Sequence, residues 1–246
     1  ASGDRVIGEG WHERAGEPHA EIHALSEAGG AAKGATAYVT LEPCSHHGRT
    51  PPCVEALILA GISRVVYAMV DPNPEVAGAG LEKLRRAGIT VDGPVLEDQA
   101  RELNRGFIKR HRHGMPWVTV KLAMSMDART AMASGESQWI TGVAARSDVQ
   151  RLRAQSCAII TGCGTLLLDD PSLTVRAAEL GLEDAAGIAM RQPLRVVVCG
   201  KSPLPSAATL LTDGGRTLLV SPVEKNIPGV ASLTLDRGDG NVDLAA

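Results

Sequence analysis

Residue types that bind metals lie close together in the first quarter of the chain. His19 is followed by Cys44 and Cys53, and eight residues separate the two cysteines. One histidine nitrogen and two cysteine sulfurs are ligands that suit Zn²⁺, and three such ligands leave the fourth tetrahedral position for water. An open position distinguishes a catalytic zinc site from a structural one. The ligand set therefore predicts a catalytic zinc site.

A glutamate completes this motif. Glu21 lies two residues after His19, and a carboxylate there can carry protons between the water and a substrate without binding the metal. Zinc-dependent base deaminases divide these roles in the same way. Pro18 and Pro52 precede His19 and Cys53, which predicts that both ligands stand where helices begin. The positive ends of two helix dipoles would then favour the thiolate form of Cys53.

Other interpretations of the same residues remain open. The zinc site could be structural, with a fourth ligand among His12, His23, His46 and His47. The two cysteines could also be buried thiols without a metal. Three further cysteines lie in apolar stretches typical of small core residues, namely Cys157, Cys163 and Cys199. A sparse, odd set of five cysteines is typical of a reducing compartment, and we expect a cytoplasmic protein.

The composition excludes several classes of protein. The 246 residues are 44% hydrophobic, enough to form a substantial core. Aromatic residues make up only 2% of the chain, and the net charge is −3, so neither base stacking nor attraction to a nucleic-acid backbone is expected. One local positive run covers residues 109–113. No stretch approaches the roughly 18 apolar residues of a membrane span. We therefore expect a globular protein with a small-molecule partner, without nucleic-acid or membrane partners.

Hydrophobic periodicity predicts strands that alternate with helices, which is typical of an α/β layer fold with a largely parallel sheet. In the first half, the predicted strands cover 5–10, 36–41, 64–70 and 90–95. The predicted helices cover 20–28, 53–60, 81–87 and 98–107. Residues 71–74, with the sequence Asp-Pro-Asn-Pro, predict a turn.

A domain boundary is predicted after the basic run. Gly114 and Pro116 interrupt the helical pattern, so the first domain covers residues 1–113 and the second 114–246. In the second domain, strands are predicted at 117–123, 158–161, 194–199 and 217–220, and a helix at 144–155. Both ends of the chain look cut, because little sequence precedes the first predicted strand and no closing element is recognisable before Ala246.

Longer motifs resemble one family of enzymes. In the first domain they are HAE at 19–21, LEPCSHHGRTPPC at 41–53 and DPNP at 71–74. In the second domain they are KLAMSMDART at 121–130, SGESQWIT at 134–141, GT at 164–165 and DDPSLTVR at 169–176. These two independent sets, in this order, resemble the bifunctional deaminase-reductases of riboflavin biosynthesis over roughly residues 5–200.

For the first domain, the resemblance implies a cytidine-deaminase-like three-layer fold in which His19, Cys44 and Cys53 hold zinc. The substrate would be 2,5-diamino-6-ribosylamino-4(3H)-pyrimidinone 5′-phosphate. Zinc-bound hydroxide would attack its amino-bearing carbon, and Glu21, the catalytic residue, would protonate the departing ammonia. The resemblance places further substrate contacts at His12, Arg49, Asp71 and Asn73. A guanidinium suits a phosphate, whereas Asp71 and Asn73 could equally be ordinary turn residues.

For the second domain, the resemblance implies a dihydrofolate-reductase-like fold that uses NADPH to reduce the ribosyl group to a ribityl chain. The matching cofactor positions are Ala123, Trp139, Thr165 and Asp169. The matching substrate positions are Ser137, Arg153, Leu173 and Arg176. Without the resemblance, Trp139 could be a core residue and Arg153 part of a solvated helix face.

The sequence departs from the family pattern in several places. Ala128 replaces a glycine and Met126 a leucine, and the alanine would weaken cofactor binding if the backbone must approach the cofactor closely. Family segments before Arg5 and beyond Ala246 are missing, so we expect the reductase domain to be incomplete at its C-terminus. The resemblance also implies a homo-oligomer. Two other functions stay open: a nucleoside or tRNA-base deaminase fused to an unrelated domain, and a zinc-stabilised binding module without catalysis.

Overall fold

The chain forms two compact units. A computed structural model describes residues 1–74, 76–200, 204–205 and 207–244. The units comprise Ala1–Thr119 and Val120–Ala246, and each has its own parallel sheet. The predicted α/β class with parallel strands is therefore confirmed. The division of function between residues 1–113 and 114–246 stays a prediction.

The first unit is a three-stranded sheet covered by helices. Its strands lie in the order β1 (Thr36–Val39), β2 (Arg64–Tyr67) and β3 (Thr90–Asp92). The accompanying helices are α1 (Ala20–Ala28), α2 (Cys53–Leu59), α3 (Ala79–Arg86), α4 (Glu97–Leu103) and α5 (Arg105–His113). Buried Leu57 of α2, Val65 of β2 and Leu84 of α3 belong to one apolar cluster. This core holds the ends of β1 and the start of α2 in place.

The strand predicted at 5–10 is wrong. Only an isolated bridge between Ser2 and Arg5 forms there. A Cβ atom on Gly8 would lie 2.3 Å from the carbonyl oxygen of Ala24, and one on Gly10 would lie 2.5 Å from that of Ala20. The two glycines thus allow this segment to lie directly against α1 instead of pairing with the sheet.

The helix predicted at 98–107 is confirmed in part, because two helices cover this segment and only Asn104 separates them. The first ends at Leu103, and α5 begins at Arg105 and continues through the basic run to His113. Lysine and arginine are good helix formers, and cations near a helix C-terminus interact favourably with its dipole. Gly114, at φ 67°, ends the helix in the left-handed region.

The second unit contains a four-stranded parallel sheet. Its order is β4 (Ala158–Gly162), β5 (Leu194–Val198), β6 (Thr217–Ser221) and β7 (Ala231–Thr234). Its helices are α6 (Val143–Ala154), α7 (Cys163–Asp169), α8 (Ala177–Leu180), α9 (Ala185–Met190) and α10 (Thr209–Thr212). Cys163 and Cys199 are buried in its apolar cluster as predicted. Cys157 is exposed instead, and Arg191 donates a hydrogen bond to its sulfur.

The strand predicted at 117–123 is wrong as well. The segment is irregular, and Val118, Val120 and Leu122 are all exposed. An alternating pattern indicates which residues could pair, but a strand forms only beside a neighbouring edge. None of the sheet pairings among the described residues includes this segment.

Every helix among the described residues is too short or too polar to cross a membrane.

Candidate functional site

The three predicted metal ligands lie together in the first unit. His19 is the N-cap of α1, Cys53 is the first residue of α2, and Cys44 lies in the loop after β1. The Nδ1 atom of His19 is 3.5 Å from Sγ of Cys44 and 3.3 Å from Sγ of Cys53. All three ligand atoms fall within 4.8 Å of one another. The predicted helix starts at both ligands are confirmed.

Local hydrogen bonds fix this arrangement. The backbone N–H of Cys53 donates to Sγ of Cys44 across 3.3 Å, and the N–H of Val54 donates to the carbonyl oxygen of Cys44 across 3.1 Å. The loop between the cysteines thereby closes on the first turn of α2. Within that loop, Oγ1 of Thr50 lies 3.2 Å from Nε2 of His19. This contact leaves Nδ1 facing the two sulfurs.

The electrostatics of the group suit a divalent cation. Hydrogen bonds from the side chain and backbone of Cys53, with His19 nearby, lower the pKa of the Cys44 thiol to about 5. The thiolate of Cys44 and burial raise the pKa of Cys53. Protein groups alone therefore stabilise one negative charge on the pair but not two. A cation with soft-ligand affinity such as Zn²⁺ would stabilise both thiolates, so the donor set fits zinc.

Glu21 stands beside the ligands. Burial is the largest influence on its carboxyl group and raises its pKa, while hydrogen bonds from its own backbone N–H and from the side chain of Cys53 act in the opposite direction. A carboxyl group with a raised pKa is suited to carrying protons near neutral pH. Glu21 does not belong to the group of ligand atoms.

The structure does not bring a second histidine into the ligand group as a fourth ligand. Among the described residues, that group consists of His19, Cys44 and Cys53 alone. None of the four histidines considered as a fourth ligand lies within it: His12, His23, His46 and His47. This argues against a closed, four-ligand structural site.

A cavity of about 650 Å³ opens beside the ligands. His19 and Cys44 line it, together with the predicted substrate residues His12 and Arg49. The ring of His12 packs edge-on against that of His19 at 5.1 Å, and its Nδ1 lies 3.1 Å from the carbonyl oxygen of Pro18. Two residues of α5 also line the cavity, Arg110 and His111. The sequence had marked them only as part of a basic run.

Asp71 and Asn73 form the predicted turn, and a buried glutamate holds it. Oδ1 of Asp71 accepts the N–H of Asn73 at 2.8 Å, and burial is the main cause of the raised pKa of Asp71. Neither residue is among those that line the cavity. Glu42 accepts N–H groups from Asp71 at 3.2 Å, Gly78 at 2.8 Å and Gly80 at 2.9 Å. Sequence analysis missed Glu42, whose position two residues before Cys44 was the available signal.

The predicted reductase positions converge only in part. Oγ of Ser137 donates to Oδ1 of Asp169 at 3.2 Å, and Thr165 lies on the same helix, α7. Arg153 donates to the carbonyl oxygen of Thr174 at 3.1 Å. Burial is the largest cause of the lowered pKa of Arg153, and the charge of nearby Arg176 adds to it.

Apart from the charge of Arg176 near Arg153, the remaining reductase positions have other surroundings. Arg176 forms an ion pair with Glu179, and Leu173 is buried at φ 53°. Trp139 is 67% exposed, with the guanidinium of Arg146 over its ring at 4.7 Å, so the alternative of a core tryptophan is wrong. Ala123 lies in the irregular segment. The described residues therefore bring together some of the predicted cofactor and substrate positions but not all of them. A cavity of about 500 Å³ near Ser125 and Ile140 includes none of the predicted positions.

Comparison with known proteins identifies the family. Residues 1–69 match the cytidine and deoxycytidylate deaminase zinc-binding region, and residues 116–242 match the RibD C-terminal domain. The riboflavin biosynthesis protein RibD of Escherichia coli K12 is 52% identical over 97% of this chain, which corresponds to 67% of the relative. The chain belongs to the RibD family. Its predicted resemblance and the expected zinc-binding deaminase region are confirmed.

Other members of the RibD family agree in sequence and in fold. RibD of Haemophilus influenzae is 51% identical over 91% of the chain and 61% of the relative. The structure of Acinetobacter baumannii RibD superposes with a TM-score of 0.83 at 49% identity, over 96% of this chain and 65% of that one. A second solved structure comes from Thermotoga maritima and is a diaminohydroxyphosphoribosylaminopyrimidine deaminase/5-amino-6-(5-phosphoribosylamino)uracil reductase. It superposes with a TM-score of 0.81 at 35% identity, over 96% of this chain and 66% of that chain. These neighbours confirm the predicted pairing of a deaminase-like and a reductase-like domain. The chain spans about two thirds of the length of these relatives.

Proposed function

We propose that the first unit is a zinc-dependent deaminase of riboflavin biosynthesis. Its substrate would be 2,5-diamino-6-ribosylamino-4(3H)-pyrimidinone 5′-phosphate, and the reaction would consume water and release ammonia. The observation that carries this proposal is the meeting of His19, Cys44 and Cys53 beside half-buried Glu21. The names printed for the relatives in riboflavin biosynthesis support the choice of substrate.

Each residue of the centre has a distinct role in this proposal. His19, Cys44 and Cys53 would hold zinc, which when bound supplies a Lewis acid that makes water nucleophilic near neutral pH. The carboxyl group of Glu21 would accept a proton from water and deliver it to the amino group that leaves as ammonia. The cavity beside His19 would hold the pyrimidine ring and its ribosyl phosphate.

Four further residues are proposed to bind this substrate. Arg49 and His12 line the cavity, where Arg49 would contact the phosphate. Asp71 and Asn73, held in a rigid turn, would read amino and carbonyl groups of the ring, which requires the ring to reach beyond the lining described above.

We propose NADPH-dependent reduction of the ribosyl group to a ribityl chain for the second unit. Ala123, Trp139, Thr165 and Asp169 would contact the cofactor. The substrate residues would be Ser137, Arg153, Leu173 and Arg176. The contact between Ser137 and Asp169 supports a site shared by substrate and cofactor. Loss of NADPH absorbance after addition of the deaminated product measures this activity.

Substitution of Glu21 tests the deaminase. Glu21→Gln should bind one equivalent of zinc but release ammonia at least about 100-fold more slowly, because general acid–base catalysis contributes on that order. Glu17→Gln is the matched control, since Glu17 is exposed and lies two residues before His19 in the sequence. Ammonia release by Glu21→Gln at nearly the wild-type rate would contradict the proposed mechanism.

The two competing functions are not favoured. About 50% identity to RibD proteins over most of the chain argues against a nucleoside or tRNA-base deaminase fused to an unrelated domain. The same identity argues against a binding module without catalysis.

Light scattering on the purified protein would test the homo-oligomer, which stays a prediction. The cytoplasmic location stays a prediction too.

A further inference from the structure

Helix α5 contributes part of its basic run to the cavity. Five consecutive basic residues end this helix. Arg110 and His111 line the cavity beside His19 and Arg49, whereas Lys109, Arg112 and His113 are not among its lining residues. The division follows from helix geometry, because successive residues point in directions about 100° apart. Only one side of the helix end therefore faces the candidate substrate.

Among the described residues, the charged side chains that line this cavity are positive, apart from the Cys44 thiolate of the metal-ligand group. Arg49 and Arg110 are the permanent cations there, and no aspartate or glutamate lines the same surface. Within the described part of the chain, neither guanidinium makes a side-chain hydrogen bond or an ion pair. Earlier in α4 and α5, Arg101 and Arg105 are each paired with a glutamate. The two arginines of the cavity thus have their donors available for an anion.

His111 is held at the same edge of the cavity. Its ring packs against that of Phe107 with 4.4 Å between centroids, one helical turn earlier. Burial is the main cause of the raised pKa of Asp71, and the charges of His111 and His46 act in the opposite direction. His111 therefore lines the cavity with Arg110 and also interacts electrostatically with the 71–74 turn. An imidazole there can donate an N–H to an anion.

We propose that Arg110, assisted by His111, binds the 5′-phosphate of the pyrimidine substrate together with Arg49. This rests on the function proposed above and assigns a phosphate subsite to the end of α5. A simpler role for the same residues is to complement the helix dipole. That role would apply equally to Arg112, which shares the last turn but not the cavity.

Kinetics of Arg110→Gln against Arg112→Gln separate the two roles. With the phosphorylated substrate, Arg110→Gln should raise KM about tenfold or more, as expected for the loss of hydrogen bonds to a charged group, and change kcat less than about threefold. With the same compound after enzymatic removal of the phosphate, Arg110→Gln and the wild type should have equal KM. Arg110→Lys should recover part of the loss. Arg112→Gln should match the wild type with both compounds.

The other outcomes overturn the proposal. It fails if Arg110→Gln still prefers the phosphorylated compound as strongly as the wild type does, or if Arg112→Gln loses that preference equally. It also fails if the wild type has the same KM for the phosphorylated compound and for the compound without its phosphate. Zinc content and thermal unfolding of each variant establish that the fold is intact.

A second test measures by calorimetry how tightly the protein binds ribose 5-phosphate and ribose. This measurement does not depend on turnover. If the wild type releases no ammonia, the proposed function fails. The subsite is then still supported by tighter binding of the phosphorylated sugar that Arg110→Gln loses and Arg112→Gln keeps. Equal binding of the two sugars by the wild type overturns it.

Discussion

Thr50 fixes which nitrogen of His19 faces the metal ligands. Its hydroxyl lies 3.2 Å from Nε2, and when Nδ1 binds a metal, Nε2 carries the ring proton and can donate it to this hydroxyl. Groups that orient a ligand histidine contribute about 10- to 100-fold to metal affinity. Thr50→Val keeps the shape of the side chain and removes the hydroxyl, and we expect zinc affinity to fall by a factor in that range. Competition with a chromogenic chelator measures the change.

Thr50→Ser is the matched control for this prediction. It keeps the hydroxyl and should keep an affinity near that of the wild type. Equal zinc affinities of Thr50→Val and the wild type would show that the hydroxyl does not orient His19.

At the scale of elements, Glu42 connects the loop that carries Cys44 to the 71–74 turn and to the start of α3. Its carboxylate accepts N–H groups from Asp71, Gly78 and Gly80, and it is only 3% exposed. A Cβ atom on Gly80 would lie 2.1 Å from the carbonyl oxygen of Pro43, so α3 packs directly on the residue that follows Glu42. The position of the 71–74 turn thus depends on one buried carboxylate.

Glu42→Gln should therefore weaken both the fold and substrate binding. The amide NH₂ would face N–H donors, and we expect a loss of about 2–3 kcal/mol in the free energy of unfolding, with KM raised more than kcat is lowered. Denaturant unfolding and steady-state ammonia release measure the two effects. Glu82→Gln in α3 removes only an exposed pair with Arg86 and should cost less than about 1 kcal/mol. Equal losses in the two variants would refute the role of Glu42.

In the second unit, a buried arginine depends on one aspartate. The side chain of Arg195, on β5, is 2% exposed and donates to both carboxylate oxygens of Asp213, at 2.5 and 2.7 Å. Two further N–H groups of Arg195 donate to the carbonyl oxygens of Ser172 and Leu210. The hydrogen bonds from Arg195 are the largest cause of the lowered pKa of Asp213. Removal of Asp213 would leave a buried guanidinium without its counter-charge.

Asp213→Ala should lower the free energy of unfolding by about 3 kcal/mol at pH 7. Because the folded-state pKa of Asp213 is below its unfolded value of about 3.9, the stabilisation is complete above that value and is lost as pH falls through the folded-state pKa. The difference between variant and wild type should shrink below about pH 4. Asp92→Ala, at an exposed ion pair of 2.6 Å with Arg64, is the control and should cost less than about 1 kcal/mol. A pH-independent difference would contradict this account.

The sequence predicted the elements whose signals are local. The start of α2 at Cys53 follows from Pro52, and β5 follows from its three consecutive valines at 196–198. The segment 117–123 has an equally good strand pattern, but pairing depends on a distant edge that no local pattern specifies. Gly8 and Gly10 show the same limit, since contact with α1 decides their conformation.

The same distinction applies to the candidate site. Ligand types and the adjacent glutamate are written in short motifs, so His19, Glu21, Cys44 and Cys53 could be predicted. Arg110 and Thr50 act through tertiary contacts, because one reaches the cavity from a helix far along the chain and the other acts through His19. Long-range placement of this kind carries no periodic signal.

At the scale of the whole molecule, the metal site lies in one compact unit only. All three ligand residues belong to Ala1–Thr119, where they join the start of α1, the loop after β1 and the start of α2. Metal binding stabilises the folded state of the part that it joins. Removal of zinc should therefore loosen the first unit and leave the sheet of the second unit unchanged.

Hydrogen exchange of the full chain with and without a zinc chelator tests this prediction. Amides of α1 and α2 should exchange at least about tenfold faster after zinc removal, since the metal closes the contact between their first turns. Amides of β5 and β6, which pair in the second unit, should exchange at unchanged rates. Added zinc should restore the protection of amides in the first unit. Faster exchange to the same extent in both units would mean that the metal stabilises the chain as one cooperative body. The two activities would then be lost together on chelation, whereas independent units would keep NADPH binding after zinc is removed.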